Sequence, residues 1–310
     1  MMNRGQFETW HPFRSEEAKQ TYLAAYDKRA RRWPAGSESQ LIATSFGEVF
    51  VRVQGPSDGP SLVLLPGDSE TSLAWLPVVE ALSVEYRTYA VDHIFDNGRS
   101  AYTQPLKRPD DLVQYLDELF TALDLEEIRF VAHSYGAWQA TLYALAHPDR
   151  LKKLVLLAPS ATVLRPPLGL LVRAILFGLI PLRFVTRRYL YWYAPDAVRD
   201  ERTRPEVDAM IEEELLARRC FKRRKFIPPT VLTDEDWQEL TVPTLFVVGE
   251  HDVTYSPHRA MQRLAAVAPR VETMLASGAD HHVTIVKPAW LTRVLLSFLK
   301  DDEQADQRRQ

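Results

Sequence analysis

The chain has 310 residues, 46% of them hydrophobic and 25% charged, with a formal net charge of −3. That content is enough for one large buried core, and the near-neutral balance, with a pI of about 6.3, excludes a general electrostatic pull toward nucleic acid. One cysteine, Cys220, excludes an intrachain disulfide framework and fits a reducing compartment, so a cytoplasmic protein is expected.

Residues 1–20 are polar with mixed charge and lack the apolar h-region of a secretory signal. A helix is predicted over 15–33, with Ser15 as its cap, Glu16 and Glu17 in its first turn and Pro34 past its end. "GEVFVRVQG" alternates apolar and polar residues, as a half-buried strand does. "SLVLLPG", "RTYAVD", "IRFVAHS", "LKKLVLLAP" and "PTLFVVGEHD" are apolar runs closed by turn or polar residues, and "RVETMLASG" is a weaker case. Such runs predict parallel strands covered on both faces. Helical spacing lies between them. In "RPDDLVQYLDELFTAL", Leu112, Tyr115, Leu116, Leu119, Phe120 and Leu123 share one face. "SYGAWQATLYALAHP", "SPHRAMQRLAAVAP" and "PAWLTRVLLSFLK" also read as helices.

This alternation implies an α/β fold, a mainly parallel sheet flanked by helices. It breaks between about 160 and 240, where a long apolar run is followed by aromatic, acidic and basic blocks. The expectation is a helical lid inserted after the sixth strand. The apolar run, "LGLLVRAILFGLIPL", is shorter than the roughly 20 residues of a spanning helix and reads as a buried or surface-docked helix. The predicted divisions are an N-terminal helical extension (1–40), a first core segment (41–159), the lid (160–240), a second core segment (241–300) and a disordered tail (301–310).

Ligands of open parallel sheets bind beyond the carboxyl ends of the strands. Ser134 stands there in "FVAHSYGAW", between the small residues Ala132 and Gly136 and before a helix. A strained strand-to-helix turn of this kind exposes a nucleophilic Ser. The loop after Pro66-Gly67 is expected to offer the backbone N–H of Asp68 to an oxyanion, with the N–H of Tyr135 as second donor. A Ser nucleophile needs a His base, and that His needs a carboxylate. "VVGEHDVTYSP" supplies Asp252, with Glu250 as competitor, and no carboxylate follows the strand "LVLLAPSAT". "SGADHHVTIVKP" supplies His281 and His282, and residue chemistry does not choose between them. Neither a cofactor nor a metal is called for, because adjacent histidines on a strand diverge. His93 reads as a loop residue supporting the site, and Tyr189, Tyr191, Trp192 and Tyr193 as packing. The basic block 218–225 reads as solvated surface.

Together these segments resemble the α/β-hydrolase fold family over about residues 45–300. "AHSYGA" resembles its nucleophile elbow, and "AVDHIFDNGRSAY" its Asp…Gly-x-Ser segment after the fourth strand. "GADHHVTIVKP" resembles its Gly-x-Gly-His segment with a Pro seven residues past the His; Pro288 stands seven past His281, so the resemblance selects His281 as the base. "AAYDKRARRWP" is similar to extensions in an esterase-like branch. Three departures stand out: Ala132 for the first elbow Gly, Pro66 for a His, and Asp280 for a Gly beside the base, where it would raise the His281 pKa if close. The implied activity is a carboxylesterase cleaving small-molecule esters of hydrophobic acyl or alcohol groups. A C–C bond hydrolase, an acyl-transfer enzyme and a non-catalytic ligand-binding protein remain as alternatives. A Ser nucleophile argues against the family members that attack with a carboxylate.

Overall fold

A computed structural model describes residues 12–222 and 226–300. The apolar runs become strands whose side chains divide between two covered faces. In β3 (Ser61–Leu65), Val63 and Leu65 enter one apolar cluster, and Leu62 and Leu64 enter the other. In β6 (Ile128–His133), Phe130 and Ala132 go to the first cluster and Val131 to the second. A strand placed so is mostly apolar, since a polar side chain on either face loses its water and needs a partner, as Arg129 finds in the Leu299 carbonyl oxygen at 2.9 Å. Each fully buried Leu, Val or Phe contributes about 1.5–3 kcal/mol.

The other strands are β1 (Glu38–Thr44), β2 (Gly47–Gln54), β4 (Arg87–Val91), β5 (Ala101–Tyr102), β7 (Leu151–Leu157), β8 (Thr244–Gly249) and β9 (Glu272–Ala276). The sheet order is β1-β2-β4-β3-β6-β7-β8-β9, with β5 paired to β2. β2 is antiparallel to β1 and β4, and every pair from β4 across to β9 is parallel. The carboxyl ends of β3, β6, β7, β8 and β9 therefore share one rim.

Helices α1 (Glu16–Ala30), α2 (Leu76–Leu82) and α12 (Pro288–Leu299), the last preceded by the one-turn α11 (Val283–Val286), cover one face; α3 (Pro109–Ala122), α4 (Ser134–Ala146) and α10 (Pro257–Val267) cover the other. Ser15 caps α1 by accepting from the Ala18 N–H at 3.1 Å. Between β7 and β8 lie α5 (Leu168–Leu179), α6 (Arg183–Tyr193), α7 (Pro195–Arg199), α8 (Arg204–Cys220) and α9 (Asp234–Glu239). Helices α6, α7 and α8 enclose a small apolar cluster of their own, including Leu190, Ala197 and Ile211.

Several elements depart from the sequence expectations. β1 and β5 were not anticipated: β1 is a mostly exposed edge strand and β5 has two residues, so neither carries an apolar run. The inserted helices follow β7, the seventh strand in chain order and the sixth when β5 is left out. The half-buried reading of β2 fails at Arg52, which is buried with its guanidinium 5.1–5.6 Å from the ring centroids of Tyr26, Trp33 and Phe50. Cation–π contact replaces the water that alternation implied. The tail 301–310 and the basic residues 223–225 lie outside the described residues. No helix among the described residues is long and apolar enough to cross a membrane.

Candidate active site

Ser134 is the first residue of α4, directly after β6. Its φ of 52° lies in the left-handed region, which costs a non-glycine residue about 1–2 kcal/mol. The close packing that holds it there explains the flanking residues. A Cβ on Gly136 would meet the Pro66 carbonyl oxygen at 2.2 Å, so this position must be glycine. Ala132 fits because its methyl group is taken into the core beneath α4, where it is fully buried.

The rim of the sheet brings the three distant residues together. His281, in the loop after β9, has Nε2 at 2.9 Å from Ser134 Oγ. Its Nδ1 lies 2.8 Å from Asp252 Oδ2, in the loop after β8. The geometry assigns the tautomer: Ser134 donates to Nε2, and Nδ1–H donates to the carboxylate. Asp252 is fixed through its other oxygen, which accepts from the Thr254 N–H at 2.7 Å and from the Thr254 hydroxyl. Burial opposes its charge, but His281 and the Thr254 hydrogen bonds hold its pKa below the ordinary value. Glu250, the competing acid, turns outward and accepts from the Gly278 N–H at 2.8 Å.

It is His281, not His282, whose ring nitrogen lies at hydrogen-bond distance from Ser134 Oγ. Burial first, and then the neighbouring His281, push the His282 pKa down to about 3, so it is neutral. Asp280 does not approach His281 in the way the sequence suggested. Its carboxylate accepts from the backbone N–H groups of Asp196, Ala197 and His282, each at 2.9 Å. It therefore ties α7 to the His281 loop.

Asp68 and Tyr135 line the same cavity as Ser134 and His281. The loop is pinned on both sides of Asp68. The Gly67 N–H donates to Glu70 Oε2 and the Ser69 N–H to Asp96 Oδ2, each at 2.7 Å. His93 Nε2 is 2.8 Å from the Pro66 carbonyl oxygen, a contact that fixes the loop from below. Tyr135 is the second residue of α4, whose N-terminal partial positive charge favours an oxyanion.

Three residues at the site were not singled out from sequence, and a fourth, Tyr193, was read as packing. Ser160, after β7, has its hydroxyl 2.9 Å from Ser134 Oγ. Tyr193, on α6, brings its hydroxyl to Ser134, with its ring centroid 4.8 Å from that of His281. Tyr189 also lines the cavity, whereas Tyr191 turns away to donate to Asp208 at 2.8 Å. The packing reading of this aromatic block therefore holds for only part of it. Glu70 and His133 form the remaining pair, with Oε2 and Nδ1 3.0 Å apart. Burial opposes charge on Glu70, but the His133 cation and the Gly67 N–H bring its pKa down to about 2. Burial works against the His133 cation too, and Glu70 raises its pKa above the usual 6.5. The only sequence signal for Ser160 and Glu70 was their place after strand ends.

The cavity holds about 410 Å³. Its walls beyond the polar groups are largely apolar, with Leu73, Leu170, Leu171, Phe177 and Ile285 among them. The N-terminal helix contributes Tyr22, Tyr26 and Arg29. No cluster of metal-ligating side chains occurs among the described residues.

A parallel sheet with a buried Ser–His–Asp chain at its carboxyl rim defines a class of protein, and the sequence comparison agrees. Residues 62–294 match the model of the Alpha/beta hydrolase family, and the chain belongs to it. The chain is 27% identical to carboxylesterase YbfK of Bacillus subtilis over 295 residues, covering 93% of this chain and 96% of that protein. The crystal structure of that carboxylesterase superposes with a TM-score of 0.81 at 26% identity, covering 91% of this chain and 98% of the other. The structure of naproxen esterase from Bacillus subtilis superposes with a TM-score of 0.82 at 26% identity, covering 92% and 99%.

Proposed function

We propose that the chain is a serine carboxylesterase acting on small-molecule esters with a hydrophobic acyl or alcohol group. The observation that carries this reading is the hydrogen-bonded chain from Asp252 through His281 to Ser134. The similarity to carboxylesterases along nearly the whole chain supports the ester as the bond cleaved. The apolar cavity supports a hydrophobic substrate.

In this mechanism Ser134 Oγ attacks the ester carbonyl and its proton passes to His281 Nε2. Asp252 stabilises the imidazolium that forms. The backbone N–H groups of Asp68 and Tyr135 hold the oxyanion. The tetrahedral adduct collapses, the C–O bond to the alcohol breaks, and His281 returns the proton to the leaving oxygen. Water then gives a proton to His281 and attacks the acyl-enzyme, which releases the acid and restores Ser134. No cofactor enters any step. Residues 160–240 act in this reading as a lid, because α5, α6 and α8 wall the cavity. A cytoplasmic location is part of the same reading, supported by one buried, unpaired cysteine.

A series of p-nitrophenyl esters tests the proposal. kcat/KM is expected to rise about threefold to fourfold per acyl methylene until the cavity is filled. Unchanged turnover by Ser134→Ala contradicts the mechanism. Cleavage of a C–C substrate with no ester turnover replaces the substrate class.

A further inference from the structure

Helix α5 is apolar on nearly every side, yet only Leu170 in it is buried. Its inner side, with Leu170, Leu171, Ala174 and Phe177, forms part of the cavity wall. Its outer side faces water: Val172 is 56% exposed, Ile175 59% and Leu179 61%. The exposed apolar surface continues through Leu182 and Phe184 at the start of α6. A contiguous patch of this kind is uncommon on a soluble surface and marks an interaction site.

The charges around the patch identify what covers it. No Asp or Glu occurs from residue 150 to 195, whereas Arg165, Arg173, Arg183, Arg187 and Arg188 all occur there and are exposed. Arg183 shares its charge with Glu212 at 2.6 Å. Arg173 and Arg187 lie over the rings of Trp192 and Tyr191. An isologous dimer would bring these guanidiniums toward their own copies, which is unfavourable. A surface that is apolar inside and anionic at its rim satisfies both parts of the patch. A helix of 12 residues spans about 18 Å, too short to cross the roughly 30 Å of a hydrocarbon core. It suits a helix lying in the plane of the interface.

We propose that α5 and the start of α6 dock this chain on an anionic lipid bilayer, the outer side of α5 among the acyl chains and the arginines among the phosphates. This goes beyond the ester reading and does not depend on it. Where both hold, the inner side of the docked helix is the wall of the catalytic cavity, so a hydrophobic ester would pass from the bilayer to Ser134 along one helix.

The test is sedimentation of the full chain carrying Ser134→Ala with vesicles of phosphatidylglycerol and phosphatidylcholine, which separates docking from catalysis. The chain is expected to sediment with anionic vesicles and to be released by salt. Ile175→Glu with Leu179→Glu is expected to weaken binding at least about tenfold, because a charge among acyl chains is costly. Arg187→Gln with Arg188→Gln is expected to weaken it on anionic vesicles only, by about fivefold per arginine. The four side chains are exposed and none lines the cavity, so in the active chain both pairs of substitutions are expected to leave hydrolysis of a water-soluble ester within about twofold. Absence of vesicle binding, or equal binding by the Ile175/Leu179 variant, overturns the proposal. So does a dimer in solution that the same variant disperses without any vesicle binding.

Discussion

Strand β6 and helix α5 are both built mostly of apolar residues, and their surroundings are opposite. Every residue of β6 is buried between two layers of helices, whereas α5 buries one residue of its twelve. The strand leads directly into Ser134 and holds it in a strained turn. The helix forms one wall of the cavity and leaves its other side open. Apolar composition therefore states that a surface needs a cover; the position in the topology decides whether the protein supplies it.

The sharpest way to break this comparison is at the end of β6. Ser134→Ala is expected to lower kcat by about 10⁴-fold or more while unfolding shifts by no more than about 1 kcal/mol, since Ala keeps the same Cβ in the same turn. Retained ester turnover, measured on a purified variant, would remove the functional half of the contrast. Next in size is the packing half. Phe130→Ala, in the middle of β6, is expected to cost about 3–5 kcal/mol in denaturant unfolding. A loss below about 1 kcal/mol would mean that the strand is not the packed core described.

The Glu70–His133 pair links the loop after β3 to the end of β6, and Glu70→Gln is expected to cost about 1.5–3 kcal/mol. Its pH dependence is specific. Glu70 is held below its ordinary value of 4.5, so its contribution is complete above that pH and fades as pH falls toward about 2. His133 is raised above 6.5, so its contribution is complete below that pH and fades as pH rises through the folded value. The stability difference between the two proteins should be largest between pH 4.5 and 6.5 and shrink on both sides. A difference that does not vary with pH would show that the pair is not ionised. The smallest effect is expected on α5: Ile175→Ala should shift unfolding by no more than about 0.5 kcal/mol. A loss comparable to that of Phe130→Ala would place the side chain in a packed interior.

Much of this layout could be read from the residues because it is local. Continuous apolar runs marked the parallel strands, and the turn chemistry after them pointed to Ser134, Asp252 and Asp68. Edge strand β1 was illegible because a strand with one partner and exposed polar residues looks like a loop. Glu70, His133 and Ser160 were illegible, and Tyr193 was read only as packing, for another reason: each acts on a residue at least 26 positions away, the shortest separation being from Ser160 to Ser134. The choice between His281 and His282 was open to residue chemistry and was made by the resemblance, through Pro288 seven residues past His281. In the fold it is His281 Nε2 that reaches Ser134 Oγ, at 2.9 Å, while burial keeps His282 neutral. Asp280 shows the converse, a carboxylate one residue from the base whose partners are backbone N–H groups of α7.

The central claim is that His281 activates Ser134 and no other hydroxyl, although Ser160 lies within 2.9 Å of it. Reaction with a fluorophosphonate followed by peptide mass spectrometry tests this most directly. The account predicts one equivalent of label, located on Ser134 and lost in His281→Ala. Label on Ser160, or labelling of Ser134 that survives removal of the imidazole, would contradict it.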